Sequence, residues 1–360
     1  MTETKIVANR VLLAAVYLAS FMALLDASVV TVALPTVQRD FGGPLANLQW
    51  VFDGYTLALA TAMLSGGVLG DRFGRRRVFL AGLALFTVAS LACALAPGIG
   101  WLVAARIVQG AAASVLIPGG LSLLAQAFSE PARRARALGL GAVIGGLAFV
   151  AGPLLGGPLT ETFGWQSIFL INLPLGAVAL VLGVRGITES ADPSRPGLDP
   201  VGQVLAIAWT GLLVYAVIEA GHAGWSAPRV VGCLAAAAVC LAAFLVAESR
   251  GRSPMLPLTF FRDGDFAVVN LASFVLGAAS YGGFFLLSLY LQGPRGASAT
   301  EAGLWFLPLV LATSAMGAVS GRVSRRIGLL AGYPLCAAGL RARSCWTPPP
   351  RSRSSRCCSW

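Results

Sequence analysis

Apolar residues in this chain run in long unbroken blocks. Ten of them, at about 11–34, 48–69, 78–96, 101–127, 137–159, 167–187, 201–221, 229–248, 266–291 and 302–321, come close to or exceed the ~20 residues that carry a helix across a bilayer. Short polar turns separate them. A segment that is apolar on every side is a poor surface helix of a soluble domain but a good helix in lipid, where each backbone group must be satisfied within its own segment. The expected fold class is therefore all-α and polytopic. The first block has no small-residue cleavage site and keeps Asp26 inside it, which predicts a retained helix and not a secretory signal.

Composition agrees: 57% of the 360 residues are hydrophobic, 11% are charged, and the 43 glycines are spread through the apolar blocks. These values exclude an ordinary soluble domain. The formal net charge of +11 would suit a nucleic-acid partner, but the arginines fall in short turns between blocks and do not line one polar face. Topology explains them better. With the N-terminus inside, seventeen basic residues fall in cytoplasmic segments, against Arg39, Arg229 and Arg295 outside, a bias that predicts a cytoplasmic N-terminus. Cys93, Cys233 and Cys240 read as small apolar residues within helices, and the single His222 cannot build a metal cluster. Neither a metal nor a catalytic constellation is expected, so an enzyme is a distant reading.

The polar breaks divide the chain. The expected units are a six-helix segment at 1–187, a linker at 188–200, a helix pair at 201–248, a loop at 249–265, a further set at 266–340 and a basic Pro/Ser/Cys tail at 341–360. Between the second and third blocks lies Gly67-Val68-Leu69-Gly70-Asp71-Arg72-Phe73-Gly74-Arg75-Arg76-Arg77. Four arginines are costly to move through lipid, which pins this turn to one membrane surface, and Gly70 and Gly74 allow a tight reversal. The run resembles the signature loop of major facilitator superfamily transporters, Gly-x-x-x-Asp-Arg-x-Gly-Arg-Arg. Gly67, Asp71, Arg72, Gly74 and Arg75 are thereby implied as a gating loop.

Further motifs follow in the order of that superfamily's fourteen-helix drug:proton antiporters, and the resemblance covers residues 1 to about 335. Leu25-Asp26-Ala27-Ser28-Val29-Val30-Thr31-Val32-Ala33-Leu34-Pro35 is similar to their first-helix motif, with Ser28 and Thr31 departing from it. Arg106-Ile107-Val108-Gln109-Gly110 resembles the motif whose arginine is linked to proton movement. An intramembrane arginine persists only beside a partner or water, so Arg106 predicts a polar cavity, with Asp26 as its partner: either a proton-coupling pair or a static structural one. Gly152-Pro153-Leu154-Leu155-Gly156-Gly157 resembles the antiporter motif. Physically it is a kinkable helix whose small residues, together with Gly141 and Gly145, let a neighbour approach closely, and small-residue packing alone would produce much of it. Gly164 to Gly176, containing Trp165, Asn172 and Pro174, matches a fourth motif except at Gln166 and Ser167. Trp165 is expected to anchor at the outer interface.

Other polar residues carry less. Asp53 and Tyr55 face either a cavity mouth, with Gln109, or simply water, whereas Glu219 and His222 read as interfacial. The stretch Gly321 to Gly328, with Arg322, Arg325 and Arg326, resembles a degenerate second copy of the signature loop. The apolar run after it ends near Leu340, too short to span. The arginine-rich tail beyond looks like another reading frame, so a frameshifted or prematurely ended gene is expected. The resemblance implies a proton-driven exporter of hydrophobic or cationic small molecules in the inner membrane, with protons and the bilayer as partners and no nucleic acid or cofactor. The alternative is a non-transporting membrane fragment or assembly subunit derived from one.

Overall fold

The computed structural model describes residues 3–42, 45–191, 199–251, 256, 258–298, 300, 301, 304–306 and 308. The helices are α1 (Glu3–Phe41), α2 (Leu45–Phe73), α3 (Arg75–Ala94), α4 (Ile99–Ala127), α5 (Pro131–Phe163), α6 (Ser167–Leu170), α7 (Asn172–Gly186), α8 (Pro200–Ala223), α9 (Pro228–Arg250) and α10 (Gly264–Gln292). No strand occurs among the described residues. Seven helical stretches are long and apolar enough to cross a bilayer, and the bent pair Leu48–Met63 and Ser65–Phe73 makes an eighth. The ninth expected block, 266–291, is helical within α10. Most of the tenth, the second copy of the signature loop, the remnant to 340 and the tail 341–360 lie outside the described residues, as do 192–198 of the linker and 252–255 and 257 of the following loop.

Helix boundaries follow local chemistry. Pro131, Pro200 and Pro228 open α5, α8 and α9, where a missing N–H costs nothing. Asp199 caps α8 by accepting from the Gly202 amide at 2.8 Å. Gly164 (φ 82°) and Gly224 (φ 84°) end α5 and α8 in the left-handed region. The sixth expected block, 167–187, is helical but broken at Ile171 into α6 and α7. Pro174 has no N–H for the Leu170 carbonyl four residues back, so the regular ladder lapses there.

Helices α1 to α7 pack together, α4 lying on α2 and α3, and α1 on α5 and α7. Two apolar clusters fill the interior. One, with Leu12, Val16, Met22, Phe79, Phe86 and Leu123, lies toward the end that carries the Arg75–Arg77 turn. The other, with Val30, Val37, Leu48, Leu102, Trp165 and Phe169, fills the opposite end. Large apolar side chains such as Val88, Val181 and Val239 point outward, as suits a lipid-facing surface.

Trp165 departs from expectation. It is not an interfacial anchor but is buried at 1% exposure, with its edge against Phe41 and its indole N–H donated to Asp40 Oδ2 at 2.8 Å. The cause is the length of α1, which runs on to Phe41, past the apolar block, and brings both partners to it.

Helices α8 and α9 pair through Ala216, Ala220 and Val230, and α8 lies along α2. The contact with α2 runs from Trp50–Tyr215, with ring centroids 6.4 Å apart, to Gln203. There α2 bends by 52° between Met63 and Ser65. Gln203 Nε2 donates to the Thr61 carbonyl at 3.0 Å while its Oε1 accepts from Ser65 Oγ. A side chain bonded to the helix ladder is a recognised cause of such a kink.

Candidate functional site

Between the two apolar clusters lies a band of buried polar side chains. Asp26 on α1, Arg106 and Gln109 on α4, Ser90 on α3 and Asn172 at the start of α7 are all fully buried. Arg106 Nη1 pairs with Asp26 Oδ2 and also donates to Gln109 Oε1 at 2.8 Å. Asp26 Oδ1 accepts from Gln109 Nε2 at 3.0 Å and from Asn172 Nδ2 at 2.8 Å. Arg106 Nε donates to the Val51 carbonyl at 3.1 Å, and its guanidinium lies 4.1 Å from the centre of the Tyr55 ring. The Tyr55 hydroxyl donates to the Ala23 carbonyl at 2.9 Å, which ties the ring back to α1.

These contacts explain how two charges survive between apolar layers. An isolated ion there would cost several kcal/mol even after relaxation; a mutual pair with most of its remaining bonds filled offsets much of that, and stacking on a desolvated aromatic face adds about 2 kcal/mol. Asn172 Nδ2 also donates to Ser90 Oγ at 3.0 Å, Ser90 Oγ donates to the Phe169 carbonyl at 2.9 Å, and Cys93 Sγ donates to Gln109 Oε1 at 3.5 Å. Two atoms of the band, Arg106 Nη2 and Asn172 Oδ1, are buried without a hydrogen-bond partner among the described residues.

Of the residues expected from sequence, Asp26, Arg106, Gln109 and Tyr55 meet here. Asp53 does not. It precedes Tyr55 by two residues, about 200° round α2, and is half-buried with neither hydrogen bond nor ion pair among the described residues. Glu219 is half-buried near the end of α8, and the side chain of His222 lies outside the described residues. Asn172, Ser90 and Cys93 were not expected in the site. An amide two residues before Pro174 in an otherwise apolar run was the available signal.

The Gly152–Pro153 segment forms the wall behind Asp26. A Cβ on Gly152 would come within 2.0 Å of Ser28 Oγ and 2.9 Å of the Val29 amide nitrogen, and one on Gly156 within 2.7 Å of Val29. Pro153, Gly156 and Gly157 sit within α5, all three buried. Ala148 is itself fully buried, and its carbonyl accepts from Ser28 Oγ at 3.4 Å. Small residues thus let α5 touch the backbone of α1 at Val29, three residues beyond Asp26.

At the end of the bundle, the signature loop is a helix–turn–helix. Gly67 and Gly70 belong to α2, Arg72 lies over the Phe73 ring, and Asp71 pairs with Arg75 at 2.8 Å. Gly74 turns the chain at φ 104°. Glu189, just after α7, caps α3: its carboxylate accepts from the backbone amides of Arg76 (3.1 Å) and Arg77 (3.3 Å). It lies so close to Gly74 that a Cβ there would stand 2.7 Å from Oε1.

Comparison with known proteins agrees with this architecture. The chain is 39% identical over 324 residues to multidrug resistance protein Stp of Mycobacterium tuberculosis (strain CDC 1551 / Oshkosh), covering 89% of this chain and 60% of that protein. It is 36% identical over 333 residues to the tetracenomycin C resistance and export protein of Streptomyces glaucescens, covering 91% and 62%. With the cephamycin export protein CmcT of Amycolatopsis lactamdurans the identity is 39% over 338 residues, covering 92% and 70%. The chain thus spans about 60% of the length of the first of these relatives. Among solved structures, a peptide transporter POT in complex with sulfate superposes with a TM-score of 0.58 at 17% identity, over 86% of this chain and 69% of that one. The human organic anion transporter MFSD10 gives 0.53 at 17%, over 88% and 72%. At such identities these two show the fold alone. The family and the sequence relatives are transporters and exporters, not enzymes. The Major Facilitator Superfamily model matches residues 16–342, and with the helical bundle and its buried charge pair this places the chain as a member of that superfamily.

Proposed function

We propose that this chain belongs to a proton-coupled exporter of hydrophobic or cationic small molecules, with Asp26 as the group that carries the proton and Arg106 as its partner. The carrying observation is the Asp26–Arg106 pair, fully buried between apolar layers and held by Gln109 and Asn172. Intramembrane ionisable pairs of this kind mark ion and proton pathways by default. The relatives whose names include drug or antibiotic resistance and export support the substrate class. The α8–α9 pair following the first bundle supports the fourteen-helix layout. The charge bias of the turns supports a multi-pass inner-membrane protein with a cytoplasmic N-terminus, which puts the Asp71–Arg75 loop on the cytoplasmic side as a gate.

Alternating access in this superfamily rocks two halves about a site near the bilayer midplane. Asp26, Arg106 and Gln109 supply the first half's share of such a site, and Asp53 lies on another face of α2, where a second surface would meet it. The test is proton-gradient-dependent efflux of a fluorescent cationic dye from cells expressing the chain, beside Asp26→Asn at matched expression. Efflux that collapses with the gradient and in Asp26→Asn is expected. Efflux that survives Asp26→Asn overturns the coupling role, and no efflux at matched expression favours a non-transporting membrane protein or assembly subunit.

A further inference from the structure

We propose that Asn172 is the positioning residue that holds the proton on Asp26, by turning its side-chain amide over when the carboxylate is protonated. The inference rests on Asp26 being the proton-carrying group. In the present arrangement the Asp26 carboxylate meets only donors: Arg106 Nη1 on Oδ2, and Gln109 Nε2 and Asn172 Nδ2 on Oδ1. That set suits an ionised carboxylate and no other. A protonated Asp26 presents an O–H, and a buried O–H without an acceptor is costly.

The acceptors within reach differ in how far they are used. Gln109 Oε1 already accepts from Arg106 Nη1 and Cys93 Sγ, which occupies both of its lone pairs. Ser90 Oγ accepts from Asn172 and donates to the Phe169 carbonyl. Asn172 Oδ1 is buried and accepts from nothing among the described residues. The terminal torsion of asparagine is broad and roughly two-fold, so half a turn exchanges Oδ1 with Nδ2 while the heavy atoms stay in place. Oδ1 then stands where Nδ2 stood, 2.8 Å from Asp26 Oδ1, an ordinary O–H···O distance.

The proton comes from the aqueous phase, an O–H bond forms at Asp26 Oδ1, and the hydrogen bond between the two side chains reverses direction. Nδ2 moves to the place Oδ1 held, and at the other contact the Ser90 hydroxyl, which accepted from Nδ2, turns its O–H from the Phe169 carbonyl to Oδ1, so the turn exchanges an orphaned acceptor for an orphaned donor and releases the Phe169 carbonyl. Protonation takes the counter-charge from Arg106, which keeps Gln109 Oε1, the Val51 carbonyl and the Tyr55 ring. Among the described residues the ionisable groups facing Asp26 are Arg106 from α4, Tyr55 from α2, whose hydroxyl is spent on Ala23, and Cys93 from α3. From the α6–α7 side the residue that reaches Asp26 is the neutral amide of Asn172.

The test is pH-difference infrared spectroscopy of the full chain in lipid nanodiscs, with asparagine carrying a carbon-13 side-chain carbonyl. No substrate is needed. On acidification the carboxylic-acid band of Asp26, identified by its loss in Asp26→Asn, is expected to rise together with a move of one asparagine carbonyl band to lower wavenumber. Asn172→Leu removes that asparagine signal and shifts the Asp26 acid band upward, because its O–H loses its acceptor. Asn172→Ser serves the same assignment if the leucine variant does not assemble. An Asp26 acid band that rises while the asparagine carbonyl stays still overturns the switch and leaves Asp26 as the proton carrier. No Asp26 acid band at any pH at which the protein stays folded overturns both.

Discussion

Gly110 ends the Arg106-to-Gly110 motif, and the structure gives that glycine a reason that can be measured. A Cβ at this position would stand 2.2 Å from the Tyr55 carbonyl oxygen and 2.9 Å from its carbonyl carbon, both helix backbone that cannot rotate away. Ordinary contact begins near 3.4 Å, so Gly110→Ala must push α4 and α2 apart by 3.4 − 2.2 = 1.2 Å. Overpacking of that kind costs about 3 kcal/mol. The same displacement pulls the Tyr55 ring from the Arg106 guanidinium, now 4.1 Å from its centre, a desolvated stack worth about 2 kcal/mol. Against these stands the better helix propensity of alanine, worth about 1 kcal/mol. The net expectation is a loss of about 2–4 kcal/mol, read as thermal unfolding in detergent. Gly232→Ala on α9 is the control, since a Cβ there meets nothing within 4 Å and propensity should win by up to about 1 kcal/mol. A Gly110→Ala protein as stable as the Gly232→Ala control would refute the close-approach argument.

Three other expectations follow from the same contacts. Asp26→Asn leaves the buried Arg106 guanidinium without its counter-charge and should cost about 3–5 kcal/mol, whereas Asp26→Asn/Arg106→Met, which removes both charges, should recover at least half of that in the same melt; a double variant weaker than either single would sink this account. Glu189→Ala removes the acceptor for two amides at the start of α3 and should cost about 1 kcal/mol, seen as faster hydrogen exchange at Arg76 and Arg77, with the Asp26 band undisturbed. Gln203→Leu deletes both bonds between α8 and the α2 bend, a loss of about 1–2 kcal/mol, and should broaden spin-label distances measured along α2; an unchanged distribution would mean that the bend is set within α2 itself.

The helices were legible because crossing a bilayer demands an apolar length that few other structures need, and the observed stretches fall on the expected blocks. What the blocks could not show was where helices continue past the apolar part. α1 runs seven residues beyond Leu34 to Phe41, and that extension delivers Asp40 and Phe41 to Trp165 and turns an expected surface anchor into a core residue. The Asp26–Arg106 pair was legible for an energetic reason, since each charge alone is too costly in lipid and each implies a partner. Helix rotation was harder. Tyr55 and Asp53 look equivalent along the sequence, yet 200° of turn sends one into the site and leaves the other on a different face. Asn172, Ser90 and Cys93 escaped because small neutral side chains in apolar runs look like ordinary packing until a partner from another helix meets them.

The bend in α2 makes a lever of its second arm. From Ser65 to Phe73 the helix extends about 13 Å at 1.5 Å per residue, so a ten-degree change at the joint swings the far end by ~2 Å. That is comparable to the whole length of the Asp71–Arg75 contact. The joint itself is gripped from outside the first bundle, by an amide on α8, while the shorter-range stack of Tyr55 on Arg106 fixes the first arm. The appended helix pair therefore does more than fill space in the membrane: it holds the joint from which the far arm of α2 runs to the arginine-rich turn, while the near arm stays clasped to the buried charges.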